Sequence, residues 1–213
     1  PIGLYAKGDN IWAYYASGGT NQVIGQIGSN IYYSTGVGVF AASNLTSAVT
    51  GKMRAQTFSD INYIMRNAEQ AGVKWDGTTA TALGTSFNED LTTPTANNMP
   101  KAKFVTAFKG YLFVGYTNET ATDFPTRIRW SHFNNPADFR ALDFIDVSKG
   151  VDGDSITAMV PFKDRLLIFK NNSVHIVYGS GVQNFGVQLL TDAAGAVSQE
   201  AVAVTEYGVY FFS

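Results

Sequence analysis

Phe108-Lys109-Gly110-Tyr111-Leu112-Phe113-Val114 and Phe162-Lys163-Asp164-Arg165-Leu166-Leu167-Ile168 are two copies of one phrase. An aromatic residue is followed by a polar turn pair and then by an apolar strand. Phe58-Ser59-Asp60-Ile61-Asn62-Tyr63-Ile64 fits the same template, while Lys7-Gly8-Asp9-Asn10-Ile11-Trp12-Ala13 and Thr205-Glu206-Tyr207-Gly208-Val209-Tyr210-Phe211 fit it loosely. Successive copies are 51, 50, 54 and 43 residues apart. A period in that range is the signature of a radially repeated architecture.

Working outward from the phrase gives the content of one repeat. Phe104–Phe108 leads through Lys109-Gly110 into 111–116, and two further apolar segments follow at Arg127–Ser131 and Phe144–Val147. The next repeat keeps that order with 156–160, 165–169, 173–178 and 187–190. Four short strands in about fifty residues match one blade of a β-propeller. Asp76-Gly77 is a hairpin signal, and Lys170-Asn171-Asn172-Ser173 reads as the turn between the two middle strands of its repeat. The expected fold is therefore all-β, a propeller of four-stranded blades with approximate units 1–50, 51–100, 101–150, 151–200 and the start of a further blade at 201–213. Four units and a fragment leave open edges, which predicts a partial propeller cut from a longer chain. Ile61, Ile64, Met65, Ala68 and Ala71 also lie at helical spacing, so a helix over 60–71 competes with the strand that the repeat places at Asn62–Arg66.

The 213 residues are 45% hydrophobic and 14% aromatic, enough for a substantial core. A net charge of −2 with 15% charged residues provides no electrostatic footprint for nucleic acid. The absence of cysteine removes disulfides, thiolate metal sites and cysteine nucleophiles together. No apolar run reaches the roughly 18 residues of a membrane-spanning helix, so membrane insertion is not expected.

Chemistry-bearing residues are sparse. The two histidines, His132 and His175, stand at non-equivalent places in their repeats and read as ordinary strand or loop residues. Asp152-Gly153-Asp154-Ser155 could offer oxygen ligands to calcium, but the rest of such a loop is missing, so Asp152 and Asp154 are weak metal candidates beside a simple inter-blade turn. Asp143 and Asp146 would join them in a propeller hydrolase only if all four carboxylates faced one cavity. Gly36-Val37-Gly38-Val39-Phe40 lacks the third Gly and following Lys of a phosphate loop and reads as a tight strand. Trp130 with His132 is the weak candidate for ligand or partner contact, because an indole face stacks on a sugar ring. No catalytic set and no cofactor are expected.

A longer string carries a family resemblance. Arg127-Ile128-Arg129-Trp130-Ser131-His132-Phe133-Asn134-Asn135-Pro136-Ala137-Asp138-Phe139, Phe144-Ile145-Asp146-Val147 and Gly153-Asp154-Ser155-Ile156-Thr157-Ala158-Met159-Val160-Pro161-Phe162-Lys163-Asp164, continuing to Gly195-Ala196-Val197-Ser198-Gln199-Glu200, resembles β-propeller structural proteins of tailed bacteriophages. It covers about residues 100–213. The resemblance implies a virion protein of the tail or neck, of the nozzle-forming type, made in the bacterial cytoplasm. Its partners would be copies of itself around the tail axis and neighbouring tail or neck proteins, with no catalytic residues. A carbohydrate-binding propeller that adsorbs to host-surface glycan is the alternative, and a propeller hydrolase the second.

Overall fold

The computed structural model describes residues 10–36, 39–46, 49–87, 97–147 and 154–213. Strands β1 (Asn10–Tyr15), β2 (Asn21–Ile27), β3 (Asn30–Gly36) and β4 (Val39–Thr46) form the first antiparallel sheet. The second contains β5 (Arg54–Phe58), β6 (Ile61–Arg66), β7 (Gln70–Trp75) and β8 (Ala80–Ala82), and the third β9 (Lys101–Phe108), β10 (Tyr111–Glu119), β11 (Thr122–His132) and β12 (Asn135–Asp146). The fourth is β13 (Ile156–Phe162), β14 (Arg165–Lys170), β15 (Val174–Tyr178) and β16 (Gly186–Thr191), followed by the hairpin β17 (Val202–Val204) and β18 (Val209–Phe211). Each sheet is a meander in sequence order, the plan of a propeller blade. The described sheets do not close into a ring, and no α-helix occurs among the described residues.

The recurring phrase is the turn between the first and second strands of a blade. Phe58 pairs with Ile61 and Phe108 with Tyr111, so each loop has two residues. Ser59 and Asp60 both have positive φ (49° and 62°), as do Lys109 and Gly110 (49° and 79°). Two consecutive residues of positive φ make the turn whose twist matches that of the strands it joins. At Gly110 a side chain is also excluded, because a Cβ would lie 2.5 Å from the Phe133 ring. Residues 60–71 form β6 and the start of β7, with Asn67 and Ala68 in the left-handed region at the turn, and no helix.

The strand after each turn is apolar on both sides because it packs on both sides. On β10, Leu112 and Val114 join Tyr63 and Met65 of the second sheet, while Tyr111 and Phe113 join Leu166, Ile168 and Val177 of the fourth. On β6, Ile64 turns instead to Tyr14, Ile24 and Ile31 of the first sheet. On β14, Leu167 and Phe169 meet Val202 and Val209 of the terminal hairpin. Strand alternation thus feeds four inter-sheet cores in chain order, each sheet lying face to face with the next.

Two regions differ from the sequence reading. The first copy of the phrase maps onto β1, the first strand of its sheet, not the second. The β1–β2 connection is a longer loop in which the Ala16 N–H donates to the Thr20 carbonyl, and residues 7–9 lie outside the described part. In the third sheet, the stretches between the expected strands, 117–126 and 132–143, are largely strand: β10 and β11 run on to a tip at Thr120–Ala121, and β11 and β12 meet at a turn around Asn134. Pro125 is tolerated there because the β10–β11 register breaks between Phe124 and Ile128, and a bulge asks no ladder hydrogen bond of it.

Candidate functional site: the pocket at the blade axis

The first strands of the sheets converge. One pocket of about 330 Å³ is lined by Asn10 and Trp12 of β1, Arg54–Gln56 of β5, Val105 and Thr106 of β9, Met159–Pro161 of β13, and Gln199 and Glu200 just before β17. Contributions from all five units to one cavity are what radial blades require, and a flat stack of sheets does not provide them.

Its polar groups come from far apart in sequence. The Arg54 guanidinium donates through Nη2 to Glu200 Oε1 at 3.0 Å, and the Lys52 ammonium lies 3.5 Å from the same oxygen at the rim. Arg54 also stacks 4.7 Å over the Phe104 ring. Gln199 is fixed by the fourth sheet, accepting from the Met159 N–H and donating to the Met159 carbonyl. The Trp12 indole donates to Asn62, so its ring edge is held in place. Burial pushes the Arg54 pKa down, with the Glu200 charge and hydrogen bond opposing. Burial works to raise the Glu200 carboxyl, but hydrogen bonding and the Arg54 and Lys52 charges outweigh it and hold it below the ordinary value. Sequence reading missed this set, since nothing in a strand such as Arg54-Ala55-Gln56-Thr57-Phe58 signals a partner at position 200.

The residues that sequence reading singled out lie elsewhere. Trp130 is 4% exposed and packs against Phe113 and Phe185 at 5.8 and 5.3 Å, so it is core rather than a stacking platform. His132 ends β11 opposite Asn135 and is half-buried. Asp152 falls outside the described residues. Asp154 is buried: its carboxylate lies 3.0 Å from Lys170 Nζ and accepts from the Asn171 N–H, so it anchors the β14–β15 turn as part of a closed ion pair. Asp146 is held bidentately by Arg127 at 2.7 and 2.9 Å. Burial pushes the Asp143 carboxyl up, against the Arg140, His132 and Arg129 charges. Asp143, Asp146 and Asp154 do not line the axial pocket, and no metal-binding group of three or more His, Cys, Asp or Glu is found among the described residues.

Two buried polar clusters sit away from the axis. Ser173 Oγ lies 3.1 Å from His175 Nε2 and 3.5 Å from Asp154, a set with the residue types of a hydrolytic triad. The order is wrong for that chemistry, because the base must stand between nucleophile and carboxylate. Here the serine stands between the other two, and Ser173, His175, Asp154 and Lys170 are all buried. In the third sheet Glu119 accepts two hydrogen bonds from Arg129, both 2.7 Å, and one from Arg127 at 3.1 Å. Phe144 lies beside both guanidiniums, at 4.0 Å from that of Arg127 and 4.8 Å from that of Arg129. Both clusters tie strand ends together.

The ends of the sheet series are uncovered. On the face of β1–β2 turned away from the second sheet stand Ile11, Ala13, Tyr15 and Val23, with Ile11 60% and Tyr15 65% exposed. On the hairpin, Val202 and Val209 face the fourth sheet, which leaves Ala203 and Tyr210 on the opposite side and Phe212 exposed beside them.

No family model matches this chain, and no curated protein matches it. Among solved structures, YCF48 bound to D1 peptide is similar at a TM-score of 0.35 and 11% identity, over 85% of this chain and 66% of that one. The chain thus spans about two thirds of that neighbour's length. Among the described residues no helix is long and apolar enough to cross a membrane. On its own topology, the chain is a series of propeller blades around an axial pocket that holds the Arg54–Glu200 ion pair.

Proposed function

We propose that this chain is a structural component of a tailed-bacteriophage tail or neck, a nozzle-type propeller that works by contact and not by catalysis. The observation that carries the reading is the pair of uncovered apolar faces, Ile11/Tyr15/Val23 at one end of the series and Tyr210/Phe212 at the other. Apolar sheet faces of this kind are interaction surfaces when they persist in a folded protein. Described residues of the phage-like string supply β11, β12 and β13 of the third and fourth sheets, whose shared core would give a virion part its stiffness. Partners are copies of the chain arranged around a closed symmetry axis and adjoining tail or neck proteins.

The test is mass spectrometry and electron microscopy of purified particles from the source, with light scattering on the isolated protein. The reading expects the protein in the particle at the tail or neck, and self-association that weakens on Tyr15→Ser and Tyr210→Ser. A monomeric protein, absent from particles that assemble normally without it, overturns it. A glycan array read on the same material separates the adsorption alternative: saturable binding there, with no place in the tail structure, transfers the function to sugar recognition.

A further inference from the structure

We propose that the axial pocket is a binding site for a carboxylate on a short aliphatic stem, held by Arg54 and Lys52. Three observations converge on it. The site brings two cations against one carboxylate, Glu200, in a chain whose net charge is −2. Arg54 Nε is buried without a hydrogen-bond partner, although the neighbouring Nη2 is used. A buried donor left unmade is a standing penalty, and an acceptor that reaches it as Arg54 turns from Glu200 relieves that penalty. Of the remaining wall, Trp12, Val105, Met159, Val160 and Pro161 form an apolar part that suits methylene groups, beside the polar Asn10, Gln56, Thr106 and Gln199.

The chemistry selects the ligand class. A guanidinium presents parallel N–H groups that match the two oxygens of a carboxylate. Nε and Nη2 form one edge of the guanidinium and Glu200 holds its Nη2, so the incoming carboxylate takes that edge in competition with Glu200, while Lys52, 47% exposed at the rim, supplies the second charge. The pocket lies at the low end of the roughly 300–1,000 Å³ range of small-ligand clefts, which excludes bulky ligands. Two sources carry the same chemistry: a free dicarboxylate, or a glutamate or C-terminal carboxylate on a protein segment entering along the axis.

The intact chain is titrated at constant ionic strength with glutarate, with a capped peptide bearing one glutamate, and with inorganic phosphate. Saturable binding of glutarate and peptide alike points to the free ligand, and binding of the peptide alone to a protein segment. Glu200→Gln removes the competing carboxylate and should tighten binding about tenfold, close to 1.4 kcal/mol. Lys52→Gln, at an exposed position, should weaken it several-fold. Arg54→Gln should abolish it, with thermal unfolding reporting whether that variant still folds. The proposal is overturned if neither carboxylate binds up to roughly 50 mM, weaker than any affinity of use. It is equally overturned if Glu200→Gln leaves the affinity unchanged, or if phosphate binds as well as glutarate.

Discussion

Leu112 and Phe113 are adjacent in sequence and fully buried, yet they belong to different cores, and truncating each should loosen a different blade interface. Leu112→Ala removes contacts with the second sheet, and the Leu→Ala range is about 2–5 kcal/mol. Phe113→Ala removes a ring whose centroid lies 5.9, 5.8 and 5.3 Å from those of Phe108, Trp130 and Phe185, in a class that costs about 3–5 kcal/mol. The upper end is expected, since each aromatic pair adds about 0.5–1.5 kcal/mol beyond area. With an m-value of about 2.5 kcal/mol/M, a loss of about 4 kcal/mol lowers the urea midpoint by about 1.6 M. The informative assay is hydrogen exchange, because opening is local as well as global. Leu112→Ala should deprotect peptides over 61–75, and Phe113→Ala peptides over 165–178. If both variants deprotect the same peptides, or the pattern is reversed, the assignment of alternate side chains to opposite blades is wrong.

Other perturbations follow from the same contacts. Glu119→Gln leaves Arg127 and Arg129 buried with one charge fewer between them and should cost about 3–5 kcal/mol, read by urea unfolding. Burial works to raise the Glu119 carboxyl, but hydrogen bonds from Arg129 and Thr117 and both arginine charges outweigh it, so its folded pKa lies below 4.5. Its contribution is therefore complete above pH 4.5 and lost as pH falls through the lower folded value; a pH titration of the wild-type urea midpoint should show that acid-side loss, and Glu119→Gln should remove part of it. Replacing only Asp154 by Asn strands the Lys170 charge at 0% exposure, whereas Asp154→Asn with Lys170→Met removes both; thermal unfolding should find the double variant more stable than the single one. Gly110→Ala should destabilise by more than about 1 kcal/mol, because φ of +79° and the Phe133 ring both oppose a Cβ.

How far the sequence revealed the molecule depends on where the information lies. The second strands were legible because burial on both faces writes an unbroken apolar run after a two-residue turn, as in Tyr111–Val114. The third sheet's tip was not, since 117–126 is polar and contains Pro125, and the side chains it buries, Thr117 and Glu119, are polar, so no hydrophobic alternation marks the strands. The first unit was misregistered because its loop at Ala16–Thr20 is longer than two residues, so a chance match in front of β1 took its place. Trp130 looked available because its neighbours Ser131 and His132 are polar, but β11 turns the indole toward Phe185. The axial site was invisible for a different reason: Lys52, Arg54 and Glu200 are joined only by the convergence of the first strands on one axis, and no local pattern encodes a contact across nearly 150 positions.

That contact offers the most direct test of radial blades. Sheets stacked in a flat series lie about 10 Å apart, which would separate the second sheet from the terminal hairpin by roughly 30 Å. In the radial arrangement Lys52 and Glu200 meet at 3.5 Å, and both are accessible. The chain has no cysteine, so Lys52→Cys with Glu200→Cys creates the only thiol pair. A short bismaleimide should join them within one molecule in high yield when native and lose that yield in denaturant. Two thiols that each react with a monofunctional maleimide in the native protein, yet never cross-link, would contradict the convergence of the blades on one axis.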